Sequence, residues 1–223
     1  MIHLAVLDMA GTTVADDGAV LHAFTEAMVD LGAEPDSDRM GAALDHVQAT
    51  MGSSKIEVFR ALSDTEEEAV EANRRFEAAY ADAVAAEGAA PVPGAEEAMA
   101  ALRESGVKVC LTTGFSAVTR DLLIDALGWA DRVDLVLSPS AEARGRPYPD
   151  MVLVAVLRLG IDDVREVAVA GDTASDLLSG SRAGAGIVAG VLTGAHGRAE
   201  LDAAPHTHIL DRVADLPAVV SGT

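Results

Sequence analysis

The chain has 223 residues, with 36 Asp and Glu against 16 Lys and Arg, giving a formal net charge of −20. That length carries one sizeable core with an inserted subdomain. The acidic balance argues against nucleic acid or an anionic membrane surface as partner, and an anionic substrate would need positive charge concentrated locally.

Residues 2–8 form a nearly continuous apolar run, the pattern of a strand buried on both faces. Such an opening does not read as a signal peptide, and no apolar stretch is long enough to span a bilayer, so a soluble cytoplasmic protein is expected. The strand ends at Asp8 and runs into the turn AGTTV. Three or four helices follow. Leu21, Phe24, Met28 and Leu31 fall on one helical face, with Gly32 as a stop. Met40, Leu44, Val47 and Met51 repeat at helical spacing, and a short helix is expected from Ser54 to Leu62. Ser63 and Glu66 have the spacing of a capping box that opens a long helix through Val84. Gly88 and the stretch AAPVPG end this block.

After Gly94 the rhythm changes. The helical segments AEEAMAALRESG, AVTRDLLIDALG, PDMVLVAVLRLG and ASDLLSGSRAG alternate with the strand-like runs VKVCLTT, VDLVLS, EVAVAGD and GIVAGVL. Alternation of this kind predicts βα units and a parallel sheet. The single cysteine, Cys110, excludes an intrachain disulfide and reads as a buried small hydrophobe in VKVCL. The expected organisation is an α/β core of residues 1–14 and 90–223, interrupted by a helical cap of residues 15–89. Parallel sheets bind ligands at the carboxyl ends of their strands. An insert that leaves the core directly after the first strand lies over that edge, placed to act as a lid.

The strand ends gather chemistry. The first closes on Asp8-Met-Ala-Gly-Thr-Thr, the next on Thr112-Thr113-Gly114. Gly145-Arg146-Pro147-Tyr148-Pro149 precedes a helix, and the following strand ends in Gly171-Asp172-Thr-Ala-Ser-Asp176. Carboxylates offering oxygen ligands suit Mg²⁺. Arginine and backbone N–H groups suit a phosphoryl group.

This ordered set resembles the haloacid dehalogenase (HAD) superfamily of phosphotransfer hydrolases over nearly the whole chain: a Rossmann-like parallel sheet with an inserted α-helical cap. Within that superfamily, DMAGTTV, MGSSK, GRPYP and GDTASD resemble phosphonoacetaldehyde hydrolase and its phosphonatase-like relatives. The resemblance implies that Asp8 attacks phosphorus and forms an aspartyl phosphate. It implies that Arg146 holds a phosphoryl oxygen and shields Asp8. Thr113, the amide of Gly114 and the amides of Gly11 and Thr12 would bind phosphoryl oxygens. Mg²⁺ would be held by Asp8, the carbonyl of Ala10 and Asp172, with Asp176 as a ligand, an outer neighbour or the partner of Arg146. A small phosphonate or phosphate substrate and a homodimer through the cap helices are implied as well.

Two positions bear on the leaving group. Ordinary phosphatases of the superfamily place a second aspartate two residues after the nucleophile, where it protonates the departing alkoxide. Here that position is Ala10. The chain also has fourteen arginines and only two lysines, one of which is Lys55 of MGSSK. A lysine amine can condense with an aldehyde and accept the electrons of a breaking P–C bond, whereas a guanidinium cannot. The phosphonoacetaldehyde hydrolases carry a histidine three residues beyond this lysine, a tyrosine after the glycine of the second motif and a cysteine soon after the first. Here Val58 and Phe115 occupy the first two positions and the cysteine is missing, a pattern like that of the phosphonatase-like sister group. The competing expectations are a phosphate-monoester phosphatase and a noncatalytic binding protein on the same fold.

Overall fold

The computed structural model describes residues 1–16 and 18–222. Its elements in chain order are β1 (Leu4–Asp8), α1 (Ala19–Asp30), α2 (Asp38–Ala49), α3 (Lys55–Leu62), α4 (Glu66–Glu87), α5 (Ala95–Glu104), β2 (Lys108–Thr112), α6 (Ala117–Leu127), β3 (Leu135–Leu137), α7 (Asp150–Leu159), β4 (Val167–Gly171), α8 (Ala174–Ala183), β5 (Ile187–Val191), α9 (Arg198–Asp202), β6 (His208–Leu210) and α10 (Leu216–Ser221). The sheet is parallel throughout, in the order β3-β2-β1-β4-β5-β6.

Every residue of β1, β4 and β5 is buried, because helices cover both faces of the sheet. The pleat sorts side chains by parity. Leu4, Val6, Cys110, Val167 and Val169 pack with Met151, Val152 and Ala155 of α7 on one face. Ala5, Leu7, Val109, Leu111, Ala168 and Ala170 belong to the larger core on the other, with Met99 and Leu102 of α5.

From β1 the chain builds outward on one side through β2 and β3, then crosses to β4 on the other. Asp8 therefore ends the central strand at the topological switch point, opposite Thr112 of β2, where flanking connections diverge and leave a crevice.

Helices α1–α4 lie between β1 and α5 in sequence. Their interior is built on aromatic rings: Phe24 stacks on Phe59 with centroids 5.0 Å apart, and Phe59 meets Phe76 at 5.9 Å. The series continues into the sheet-bearing part of the molecule, where Phe115 lies 6.0 Å from Phe76 and 4.5 Å from Tyr80.

Several sequence expectations shift. Ser63 does not open the long helix. It is extended at the end of α3, and Thr65 caps α4 by accepting the Glu68 N–H. Thr65 and Glu68 have the same three-residue spacing as Ser63 and Glu66, and the two extra residues let the chain turn before α4 begins. That helix ends at Glu87 rather than Val84, with Gly88 at φ +84°. Strand β6 and helices α9 and α10 extend the fold beyond the segments read from sequence. No described helix is long and apolar enough to cross a membrane. The sequence bounds for core and cap include Asp17 and Thr223, which lie outside the described residues.

Candidate active site

A cavity of about 510 Å³ opens at the carboxyl ends of β1, β2 and β4, between the sheet and the inserted helices. Asp8 and Asp172 reach it from the ends of adjacent strands. Their carboxylates and that of Asp176 converge, with one oxygen from each lying within 4.8 Å of the others, and all three residues are buried. Two glycines make room for Asp172: a Cβ on Gly11 would lie 2.6 Å from its Oδ2, and one on Gly194 would overlap it. Asp172 Oδ2 accepts the Ala195 N–H at 2.7 Å, and Oδ1 accepts the Thr12 hydroxyl at 3.2 Å.

Arg146 enters from the loop between β3 and α7. Its Nη1 donates to Asp8 Oδ1 at 2.5 Å and also to Asp176 Oδ1. Asp176 is held in turn by the N-cap of α8, where its Oδ2 accepts the Thr173 N–H at 3.1 Å and hydroxyl at 2.5 Å. Arg146 Nε is buried with no hydrogen-bond partner, so the guanidinium keeps a donor in reserve for an acceptor at the site.

Burial pushes the Asp8 carboxyl well above the usual range, and the charges of Asp176 and Asp172 add to this against the opposing pull of Arg146. Asp172 is raised for the same first reason, burial, with Asp176 contributing. The three converging carboxylates form an oxygen-only donor set, the kind a hard divalent cation such as Mg²⁺ favours. The residues present fit such an ion.

Lys55 begins α3. Its backbone N–H donates to the Gly114 carbonyl at 3.1 Å, tying the inserted segment to the end of β2. Its side chain lines the cavity with Asp8, and Nζ lies 5.5 Å from the Phe115 ring centroid and 6.0 Å from that of Phe76. Burial lowers the Lys55 pKa and the Arg146 charge lowers it further, against the opposing carboxylates Asp16, Asp8 and Asp172. The approach is close because of glycine. At Gly52, φ is +82° and a Cβ would strike the Thr173 hydroxyl; at Gly145, a Cβ would sit 2.9 Å from Ser54 Cβ.

The other expected residues are placed as follows. Thr113 and Gly114 line the cavity, and the Thr113 hydroxyl accepts the Phe115 N–H at 3.2 Å. Ala10 lines it with a methyl group. Gly11 also lines it, but its amide donates to Val14 and the Thr12 amide to Met9. Both amides are thus hydrogen-bonded inside the turn beside Asp8. Val58 is buried in α3. Tyr148 is 45% exposed and carries the Arg144 guanidinium 4.0 Å above its ring.

The structure also brings in residues that sequence reasoning passed over. Thr193, Gly194 and Ala195 follow β5 and line the cavity. The signal was present in TGAHG, at one more strand end of the same sheet. Asp16, before α1, lines the cavity as well. Its sequence context, two aspartates before a glycine, reads as an ordinary turn.

Residues 2–184 match the haloacid dehalogenase-like hydrolases. The chain belongs to this family. The probable phosphatase IndB of Dickeya dadantii is 31% identical over 217 residues, spanning 96% of this chain and 91% of that protein. The phosphonoacetaldehyde hydrolase of Parabacteroides distasonis is 31% identical over 209 residues, spanning 86% of this chain and 76% of that one. Among solved structures, a phosphonoacetaldehyde hydrolase-like protein from Oleispira antarctica superposes with a TM-score of 0.83 at 24% identity, covering 99% and 92% of the two chains. That likeness establishes the HAD fold, and with the family match it makes this chain a HAD-superfamily hydrolase.

Proposed function

We propose that this HAD hydrolase is a Mg²⁺-dependent enzyme of phosphonatase type, cleaving the P–C bond of phosphonoacetaldehyde or a related small phosphonate. The observation that carries the reading is the shared cavity of Lys55 and Asp8, with only the methyl of Ala10 where a leaving-group acid would stand. Asp8, Asp172, Asp176 and the Ala10 carbonyl would hold Mg²⁺, which when bound neutralises charge on the phosphoryl group and the carboxylates. The core of residues 1–14 and 90–223 carries the phosphoryl site in this reading, and the cap of residues 15–89 carries the amine. Val29 of α1 and Val70 of α4 are exposed apolar residues that support a homodimer through the cap.

The chain's own residues account for the chemistry. The neutral Lys55 amine adds to the aldehyde carbon, and uptake of one proton with loss of water leaves a protonated imine. The P–C bond then breaks: its electron pair enters the imine to give an enamine, and phosphorus passes to a carboxylate oxygen of Asp8. Arg146 and Thr113, with the Gly114 amide, hold the non-transferring oxygens. Water attacks the aspartyl phosphate and releases phosphate. Protonation of the enamine carbon and hydrolysis of the imine release acetaldehyde and regenerate the amine.

The relative named as a probable phosphatase, matched over most of both chains, favours a second reading: hydrolysis of a small phosphate monoester, with Lys55 binding the anion. One experiment separates the two. Mg²⁺-dependent phosphate release from phosphonoacetaldehyde is measured for wild type and Lys55→Arg, with borohydride trapping and mass analysis of Lys55. Turnover and a trapped adduct in wild type, both absent in the variant, are expected. Turnover of monoesters alone, retained in Lys55→Arg, selects the second reading.

A further inference from the structure

Imine chemistry on Lys55 moves several protons. One must leave the attacking nitrogen, one must reach the carbinolamine oxygen before water departs, and one must be delivered to the enamine carbon. The enzymes this chain resembles carry a histidine and a tyrosine where this chain has Val58 and Phe115, and no described histidine, tyrosine or cysteine lines the cavity. The described titratable groups that line it are Asp8, Asp16, Lys55, Arg146 and Asp172. Asp8 is the proposed nucleophile, Lys55 the proposed amine, Arg146 stays protonated, and Asp172 belongs to the proposed metal set. Asp16 is the one remaining.

Its setting suits the task. Asp16 is half-buried at the start of the inserted segment, between the β1 turn and α1. Its carbonyl accepts the Ala19 N–H at 2.7 Å, and its Oδ1 accepts the Val20 N–H at 3.2 Å, so the first turn of α1 fixes the carboxylate at the cavity wall. Among the carboxylates acting on the Lys55 ammonium, Asp16 acts most strongly, ahead of Asp8 and Asp172. Its charge is also felt at Tyr80, beside Phe115. Asp16 and Lys55 thus line the same cavity.

We infer that Asp16 is the acid–base partner of Lys55, the carboxylate that carries protons between the amine, the carbinolamine oxygen and the enamine carbon. The inference rests on the imine reading above. As a base, Asp16 takes a proton from the Lys55 ammonium and frees the amine to add to the aldehyde; a proton on the added nitrogen then passes to the alkoxide oxygen to give the carbinolamine. As an acid, Asp16 returns its proton to the carbinolamine hydroxyl, which departs as water and leaves the protonated imine. After P–C cleavage a proton passes through the same carboxyl to the enamine carbon. No oxidant or further reactant is required.

The test compares wild type, Asp16→Asn and Asp16→Ala in three assays. These are phosphate release from phosphonoacetaldehyde, borohydride trapping of the Lys55 imine with acetaldehyde, and phosphorylation of Asp8 by acetyl phosphate, which needs no imine. Loss of a positioned acid–base group is expected to slow the first two by about 10²–10⁴-fold, while the third is unchanged. Added formate should restore part of the Asp16→Ala rate. Wild-type imine rates in Asp16→Asn overturn the inference. So does slowing that formate does not relieve, or slowing that extends equally to acetyl phosphate, since either marks a structural role. If wild type neither traps acetaldehyde nor turns over phosphonoacetaldehyde, the imine reading fails and this inference falls with it. That outcome is distinct from a wild type that does both beside an equally active Asp16→Asn.

Discussion

Glu77, on helix α4 of the insert, caps a helix on the other side of the cavity. Its carboxylate accepts the Ser116 backbone N–H at 3.0 Å and hydroxyl at 2.7 Å, and also the Thr119 hydroxyl, at the start of α6. The negative charge sits where the α6 dipole is positive. Because Ser116 follows Thr113, Gly114 and Phe115, the same contact steadies the loop that Lys55 leans on.

Glu77→Ala removes a charged acceptor from three donors. Such a loss costs about 1.5–3 kcal/mol. A lower denaturation midpoint and a lower kcat/KM are expected, with Glu77→Gln intermediate. Equilibrium unfolding and steady-state kinetics on the same preparations check this, and an unaltered kcat/KM would show that the contact does not hold a competent closed state.

Gly114→Ala tests how closely the insert must approach the sheet. The Gly114 backbone is not in the left-handed region, so alanine is compatible with it, yet a Cβ would overlap the Ser53 carbonyl of the insert. The substitution should wedge the insert from the sheet. Misplacement of about 1 Å can cost on the order of 10²-fold in rate, so kcat/KM should fall by about that factor, and thermal stability should fall with it because the clashing atom is backbone.

Ala10→Asp tests the leaving-group argument. A carboxyl two residues beyond Asp8 would face the cavity that Ala10 now lines. Hydrolysis of small phosphate monoesters should rise, by up to the roughly 10²–10⁴-fold range of general acid catalysis. Unchanged ester turnover would mean that the methyl at Ala10 does not limit that reaction.

The raised carboxyls make metal affinity and stability depend on pH. Asp8 and Asp172 are raised mainly by burial. Between the ordinary carboxyl value, about 4, and their higher folded values, the metal-free fold binds more protons than the unfolded chain. Its stability contribution from these groups therefore falls as pH rises through that window and stays low above it. A divalent cation competes with those protons, so it should bind more tightly as pH rises. Thermal melts with and without Mg²⁺ at several pH values should show a stabilisation that grows with pH.

Much of this could be read from the sequence, for identifiable reasons. Strands β1, β4 and β5 are short, wholly buried and bounded by Gly or Asp, so they announce themselves. Asp8, Thr113 and Asp172 stand at or just beyond strand ends, which a parallel sheet must bring to one edge, and Arg146 lies in the loop that follows β3. Strand β6 is three half-buried residues, too short for a pattern. Thr65 and Ser63 offered equivalent caps two residues apart, and only the turn before α4 decides between them. Glu77 and Ala195 act through contacts with residues distant in sequence, which no local periodicity encodes.

The aromatic series has an optical consequence. All four phenylalanines and Tyr80 form one chain of ring contacts from the insert to the end of β2. The single tryptophan, Trp129, is apart from that series: fully buried after α6, it donates Nε1–H to Glu96 of α5 at 2.7 Å. Opening of the insert would pull the Phe76 and Tyr80 rings away from Phe115 without touching the indole. Tryptophan emission should therefore follow global unfolding, while the near-ultraviolet tyrosine dichroism, to which Tyr80 contributes beside the exposed Tyr148, should follow separation of the insert from the end of β2.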